Sequence, residues 1–245
     1  MNASDAVPAQ GTELRAHIAQ EIKDTARRLL VEGGHDAVKL RAIAREMGLT
    51  APALYRYYDS RDALLTALIV DLYDELSETV RSARASADGD GFHQLEECSK
   101  AFRSWALAHP SEYGLVFGSP VLSVEVVQNG TIDEAGRRFG MMFAETFAVL
   151  AASLDRPLVA EDLSESYRQH LRTLAALWGT PDLPPELAQV FLSAWVRVFG
   201  LISMEVYGHL QFVASHSDDM FAAELADIRR GLEGCAPERP PPGNG

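Results

Sequence analysis

Leu40, Ile43, Ala44 and Met47 fall at i, i+3, i+4 and i+7, and Gly48 follows at once. That is one apolar face of an α-helix, closed by the residue best able to take the left-handed geometry that ends a helix. The same spacing governs the rest of the chain. Ile18, Ile22, Ala26, Leu29 and Leu30 recur on a helical face until Gly33-Gly34, and a short helix is expected from Ala51 to Tyr57. Asp59-Ser60 offers cap chemistry to a long helix carrying Leu64, Leu65, Leu68, Ile69, Leu72 and Leu76. Further helices are predicted at 92–108, 111–117, 132–154, 162–178, 185–213 and 218–232, separated by His109-Pro110, Arg156-Pro157 and the run from Pro181 to Pro185. The one β-like stretch, VLSVEVV at 121–127, has no partner strand and is read as loop or helix. The fold class is therefore all-α: a small N-terminal helical unit and a larger helical body. Residues 1–11 read as a disordered lead-in, and the tail CAPERPPPGNG from Cys235 cannot continue a helix, so 234–245 is expected to be disordered.

Composition narrows the class without deciding it. A chain of 245 residues, 47% hydrophobic and 23% charged, can bury a real core. No run of about 18 apolar residues is present, which predicts no membrane-spanning segment. The start MNASDAVPAQGTELR lacks the basic-then-apolar order of a secretory signal. Two distant cysteines, Cys98 and Cys235, suggest a reducing, cytoplasmic setting with no disulfide framework. His93 with Cys98 and His209 with His216 lack the i, i+4 spacing of helical metal ligands, so no metal and no cofactor is expected. No G-x-S-x-G, Walker loop, G-x-G-x-x-G after a strand or H-E-x-x-H occurs, so no catalytic residue is assigned.

Charge is unevenly placed. The chain carries a formal -13, yet residues 1–61 are net +1 and residues 62–245 net -14. Within 39–61, Lys39, Arg41, Arg45, Arg56 and Arg61 face only Glu46 and Asp59. A locally basic module on an acidic body suits a polyanionic partner. It coincides with helix, tight turn and helix: Leu40–Met47, then Gly48-Leu49-Thr50, then the helix opening at Ala51. That layout lets a second helix project into a DNA major groove. Thr50 is a good N-cap, and Pro52 is tolerated in a first turn. At 100° per residue, Ala51, Leu54 and Tyr58 share the side that packs inward. Pro52, Ala53 and Arg56 point outward, flanked by Tyr55 and Tyr57. Small groups admit the helix close to base edges, while tyrosines and arginines reach phosphates or bases. Thr50 and the first N–H groups of the helix can also hold a phosphate.

The stretch LRAIAREMGLTAPALYRYYDSRDALL, residues 40–65, resembles the DNA-binding domain of the TetR family of transcriptional regulators. Every fixed position of the pattern I-A-x-x-x-G-[VL]-[ST]-x-x-x-[LI]-Y-x-[HY]-[FY]-x-[SD]-[KR]-x-x-L-L is met. The resemblance implies a three-helix DNA-binding domain at 12–61 and a helical effector-binding and dimerising domain at 62–233. It places DNA contacts at Lys39, Arg41, Thr50, Ala51, Pro52, Ala53, Tyr55, Tyr57 and Arg61. One departure is Lys39, where many members carry Ser or Thr: a lysine can hold a phosphate as a point charge but lacks the hydroxyl cap.

The body resembles the family as well. WVRVFGLISMEVYG at 195–208 looks like the subset whose helix carries Trp-x-x-x-His-Gly-Leu, with Phe199 in place of the histidine, and HPSEYGLVFGSP at 109–120 is similar to it too. The resemblance implies a homodimer formed through the last two long helices, 185–213 and 218–232, on a palindromic double-stranded DNA operator. It also implies a small-molecule effector inside the body, with Trp105, Phe117, Phe143 and Trp195 the pocket candidates, and release of a repressor from the operator. The acidic net charge leaves a second reading open beside it, a helical small-molecule-binding protein or enzyme without DNA binding.

Overall fold

The structure, a computed structural model, describes residues 7–118, 130–152 and 163–233. Among the described residues ten α-helices run in order: α1 Val7–Gly33, α2 Leu40–Glu46, α3 Ala51–Tyr55, α4 Arg61–Ser86, α5 Gly91–Ala108, α6 Pro110–Phe117, α7 Thr131–Ala152, α8 Glu165–Leu177, α9 Pro185–Val206 and α10 Ser217–Glu233. Short 3-10 turns at His35–Ala37 and Gln211–His216 complete the described secondary structure, which contains no strand. The VLSVEVV stretch and the tail lie outside the described residues. Helix α1 begins at Val7, so part of the expected lead-in 1–11 is helical.

Two compact units result, one from residues 1–75 with 109–136, the other from 76–108 with 137–245. In the first, Ile22, Ala26 and Leu30 of α1 share an apolar core with Val38, Leu40, Ile43, Leu54, Leu64 and Leu65, each at most 7% exposed. Ion pairs brace the same helices from outside. Arg28 of α1 reaches Glu46 of α2 at 2.5 Å, and Lys23 pairs with Asp71 of α4. Helix α6, expected within the body, belongs to this unit and packs against α1, burying Tyr113 and Leu115, and the Glu112 carboxylate buried with them needs a cation. Arg27 supplies it, donating from Nε to Glu112 at 3.0 Å and through both Nη atoms to Glu75 at 2.6 and 3.1 Å. Those carboxylates, Glu75 first, raise the Arg27 pKa above its ordinary value.

The second unit is built on a ring cluster. Phe102 of α5 lies 5.3 Å from Phe139, and 6.3 Å from both Trp195 and Phe199, with the Trp195 ring nearly parallel to it. Arg103, the next residue, closes the other end. Its Nε and Nη2 donate to Glu205 of α9 at 2.7 and 2.6 Å, its Nη1 meets Asp218 of α10 at 2.7 Å, and its guanidinium covers Phe221 at 5.0 Å. Cys98 is buried, and burial pushes its thiol up to about 11.

One expectation about α9 needs correction. The helix predicted over 185–213 stops at Val206, because Gly208 takes φ +73° and the N–H groups of Gly208 and His209 fold back onto Glu205 and Met204. Helix α9 is also long and apolar enough to cross a membrane by length and composition, with a mean hydropathy of 1.6 over 18 residues, only 22% of them buried. Glu186, Gln189, Ser193, Arg197, Ser203 and Glu205 interrupt it, so it contains no unbroken apolar run of that length.

Candidate nucleic-acid interface

The turn between α2 and α3 is set by one residue. Gly48 has φ +66°, its N–H bonds Arg45 at 3.3 Å, and the next N–H, of Leu49, returns to Ala44 at 2.8 Å. These paired returns satisfy the last carbonyls of α2 and aim the chain into α3. Thr50 then caps α3, its Oγ1 accepting from the Ala53 N–H at 3.3 Å. The helix ends at Tyr55, two residues before the expected Tyr57, as the Tyr57 N–H bonds Leu54 one residue closer than α-helical spacing and the chain turns toward the Ser60 cap of α4.

Of the three residues expected inward, Leu54 is fully buried and the Tyr58 hydroxyl donates to the Ala19 carbonyl at 3.4 Å, while Ala51 is only half-buried. Burial, with Asp71 nearby, raises the Tyr58 pKa. Outward, Pro52 and Thr50 are exposed, Ala53 is half-buried, and Tyr55 is 47% exposed. Tyr57 is half-buried under Arg15, whose guanidinium sits 5.9 Å from its ring while Nη2 donates to the Arg56 carbonyl at 3.2 Å. Lys39 and Arg41 are exposed at the start of α2, and Lys39 is its N-cap without a side-chain hydrogen bond. Arg61 has a task within the protein. Its Nε donates to the Val38 carbonyl at 2.8 Å and its Nη2 to the His35 carbonyl at 2.6 Å, fastening the turn that precedes Lys39.

A short, exposed helix held by a tight turn, bordered by Tyr and by cations at the neighbouring helix start, is the geometry of a helix-turn-helix reader. The comparisons with known proteins agree. The model of the tetR family of bacterial regulatory proteins matches residues 22–68, and that of the tetracyclin repressor-like C-terminal domain matches residues 95–228. The chain belongs to the TetR family of transcriptional regulators.

Its relatives carry matching descriptions. The chain is 33% identical to the HTH-type transcriptional regulator Rv1816 of Mycobacterium tuberculosis over 80% of its own length and 83% of the relative's. It is 23% identical over 66% of its length to the HTH-type transcriptional repressor KstR of Mycolicibacterium smegmatis. Among solved structures, that of SCO4313 shares 33% identity and a TM-score of 0.65, covering 89% of this chain and 97% of that one. These relatives are described as regulators, and this chain is a DNA-binding regulator by family.

The regulator's body unit holds a cavity of about 220 Å³ between α5, α7, α9 and α10. Of the four pocket candidates, Phe143 and Trp195 line it. Trp105 is buried elsewhere in the unit and is absent from the lining, and Phe117 packs on Tyr73 at 5.5 Å and Tyr113 at 5.0 Å in the other unit. The sequence reading also missed Phe147, Phe191 and Ser99, which do line it, and missed Arg15, Arg27 and Glu112. Phe147 and Phe191 sit four residues from Phe143 and Trp195, so helical periodicity held a signal for them. Arg27 and Glu112 are 85 residues apart, and no local spacing announces their pairing.

Proposed function

We propose that the protein is a repressor that binds a near-palindromic operator as a homodimer and leaves it when a small molecule enters the body. In this reading α3 enters the major groove, with Thr50, Ala51, Pro52, Ala53, Tyr55 and Tyr57 at the DNA and Lys39 and Arg41 on phosphates. Arg61 acts by holding the turn before Lys39. The carrying observation is the outward face of α3, small residues bordered by tyrosines and aimed by the Gly48 turn.

Support for the dimer comes from α9 and the segment leading into α10. Val196, Gly200, Met204 and Tyr207 recur every three to four residues, so they form one stripe. Val196 is 60% exposed and Met204 and Tyr207 nearly half, with Phe212 and Met220 exposed beyond them. A continuous apolar stripe of this kind is normally covered by a partner, and two-fold pairing covers it with a copy of itself. The dimer would present two recognition helices to half-sites one helical turn, or a multiple, apart. Effector release requires different affinities for the operator-competent and incompetent states, not tight binding alone. A regulator of this kind works in the cytoplasm, beside the DNA it controls.

The test is Tyr57→Ala in a gel-shift titration on the operator, with sedimentation as the control. Operator affinity should fall by roughly 1–3 kcal/mol while the dimer persists. Unchanged affinity would remove Tyr57, and the edge of α3 that it borders, from the DNA face.

A further inference from the structure

The cavity in the body has a definite chemistry. Its wall carries the rings of Phe92, Phe143, Phe147, Phe191 and Trp195, contributed by α5, α7 and α9. Phe143 and Trp195 already meet edge to face at 5.2 Å, and Phe147 and Phe191 meet at a tilt at 5.4 Å, so an added ring would find edges and faces together. At about 220 Å³ the space is smaller than the roughly 300–1,000 Å³ of pockets for drug-sized ligands, which limits the occupant to one or two rings.

Three polar side chains line it, and they set the head group. Glu96 is paired with Lys100 at 2.7 Å, and Arg229 lies 5.1 Å over the Phe92 ring with Asp90 at 3.9 Å. Each charge already has a counter-charge within the protein, so a charged ligand brought among these rings would lose its hydration and have to compete with Lys100 or Asp90 for a partner. Ser99 is different. It is 6% exposed, and its hydroxyl donates to the Leu95 carbonyl at 2.7 Å, which uses the proton and leaves the oxygen able to accept.

We propose that this cavity takes a small uncharged aromatic molecule with an O–H or N–H donor, of the simple phenol class, its ring among the five aromatic side chains and its donor on Ser99 Oγ. The proposal rests on the reading of the protein as an effector-released regulator, and names the chemistry of that effector.

The experiment compares 4-propylphenol, propylbenzene and 4-propylbenzoate by titration calorimetry on the full-length protein, with operator affinity measured in parallel. The phenol should bind at least tenfold more tightly than the benzoate. Ser99→Ala should weaken the phenol by about 2–10-fold, to the level of propylbenzene, and leave propylbenzene unchanged. Leu95→Trp, which fills the space from α5, should abolish phenol binding and leave operator binding intact. Benzoate binding as tightly as phenol, an unaltered phenol affinity in Ser99→Ala, or no binding of any probe to an operator-competent protein would each overturn the proposal. Phenol that binds through Ser99 but leaves operator affinity unchanged would support the site and refute effector release.

Discussion

Replacing Arg61 with alanine separates two ways in which a cation can serve DNA binding. In the structure its guanidinium donates to the carbonyls of Val38 and His35 at 2.8 and 2.6 Å, from the first residue of α4 to the turn that leads into Lys39. A hydrogen bond to a charged group contributes roughly 1.5–3 kcal/mol where it is sheltered and less at the surface. The Val38 bond is partly buried and the His35 bond exposed. Together they should hold the turn by about 2 kcal/mol, and losing them should weaken operator binding roughly 30-fold. Arg61→Lys should rescue little, because one ammonium cannot reproduce the planar fork that serves two carbonyls. The assay is operator affinity at several salt concentrations. A direct phosphate contact would take about 0.9 from the slope of log K against log salt on removal. A positioning residue weakens binding and leaves that slope unchanged, since Lys39 and Arg41 still reach their phosphates once the turn is ordered. A slope reduced by about one, with affinity restored by lysine, would refute the positioning role.

Other perturbations test the same geometry. Gly48→Ala should cost roughly 1–2 kcal/mol of stability purely through backbone strain, since φ is +66° and a Cβ there meets no atom within 4 Å; thermal melting would read it, and an unchanged midpoint would contradict it. Arg103 holds Glu205 below the usual glutamate range, so that pair stabilises the fold above the unfolded value of about 4.3 and is lost as pH falls through the lower folded value. In urea melts, Glu205→Gln should therefore be less stable than wild type at pH 7, with the gap closing in acid; a gap that widened would reverse the sign assigned to the pair. Val196→Asp places a charge on the exposed stripe of α9 and should convert the dimer to a folded monomer in sedimentation, whereas a persisting dimer would locate the interface elsewhere.

The helices were legible because each buries a stripe, and burial imposes 3.6-residue spacing on apolar residues such as Leu40, Ile43 and Ala44. The Gly48 turn and the Thr50 and Ser60 caps were legible because single residues carry that chemistry. Helix ends set by local returns were less so: Gly208 stops α9 seven residues early, inside a run whose hydropathy alone would continue. Roles that depend on long-range packing left no local mark. The family resemblance implies a DNA contact at Arg61, and no local spacing announces that its guanidinium also meets carbonyls of the turn before Lys39. Trp105 and Phe117 are as aromatic as Phe143 and Trp195, and nothing in their neighbours in sequence separates core from cavity wall.

Whether this TetR regulator reads DNA through α3 as a dimer is tested most directly by footprinting the DNA that flanks its own gene, with wild type and Tyr57→Ala side by side. Wild type should protect a near-palindromic site whose half-sites lie one helical turn or a multiple apart, and the variant should lose that protection. Protection that survives in Tyr57→Ala, or no protected sequence at all with wild type, would contradict reading through α3.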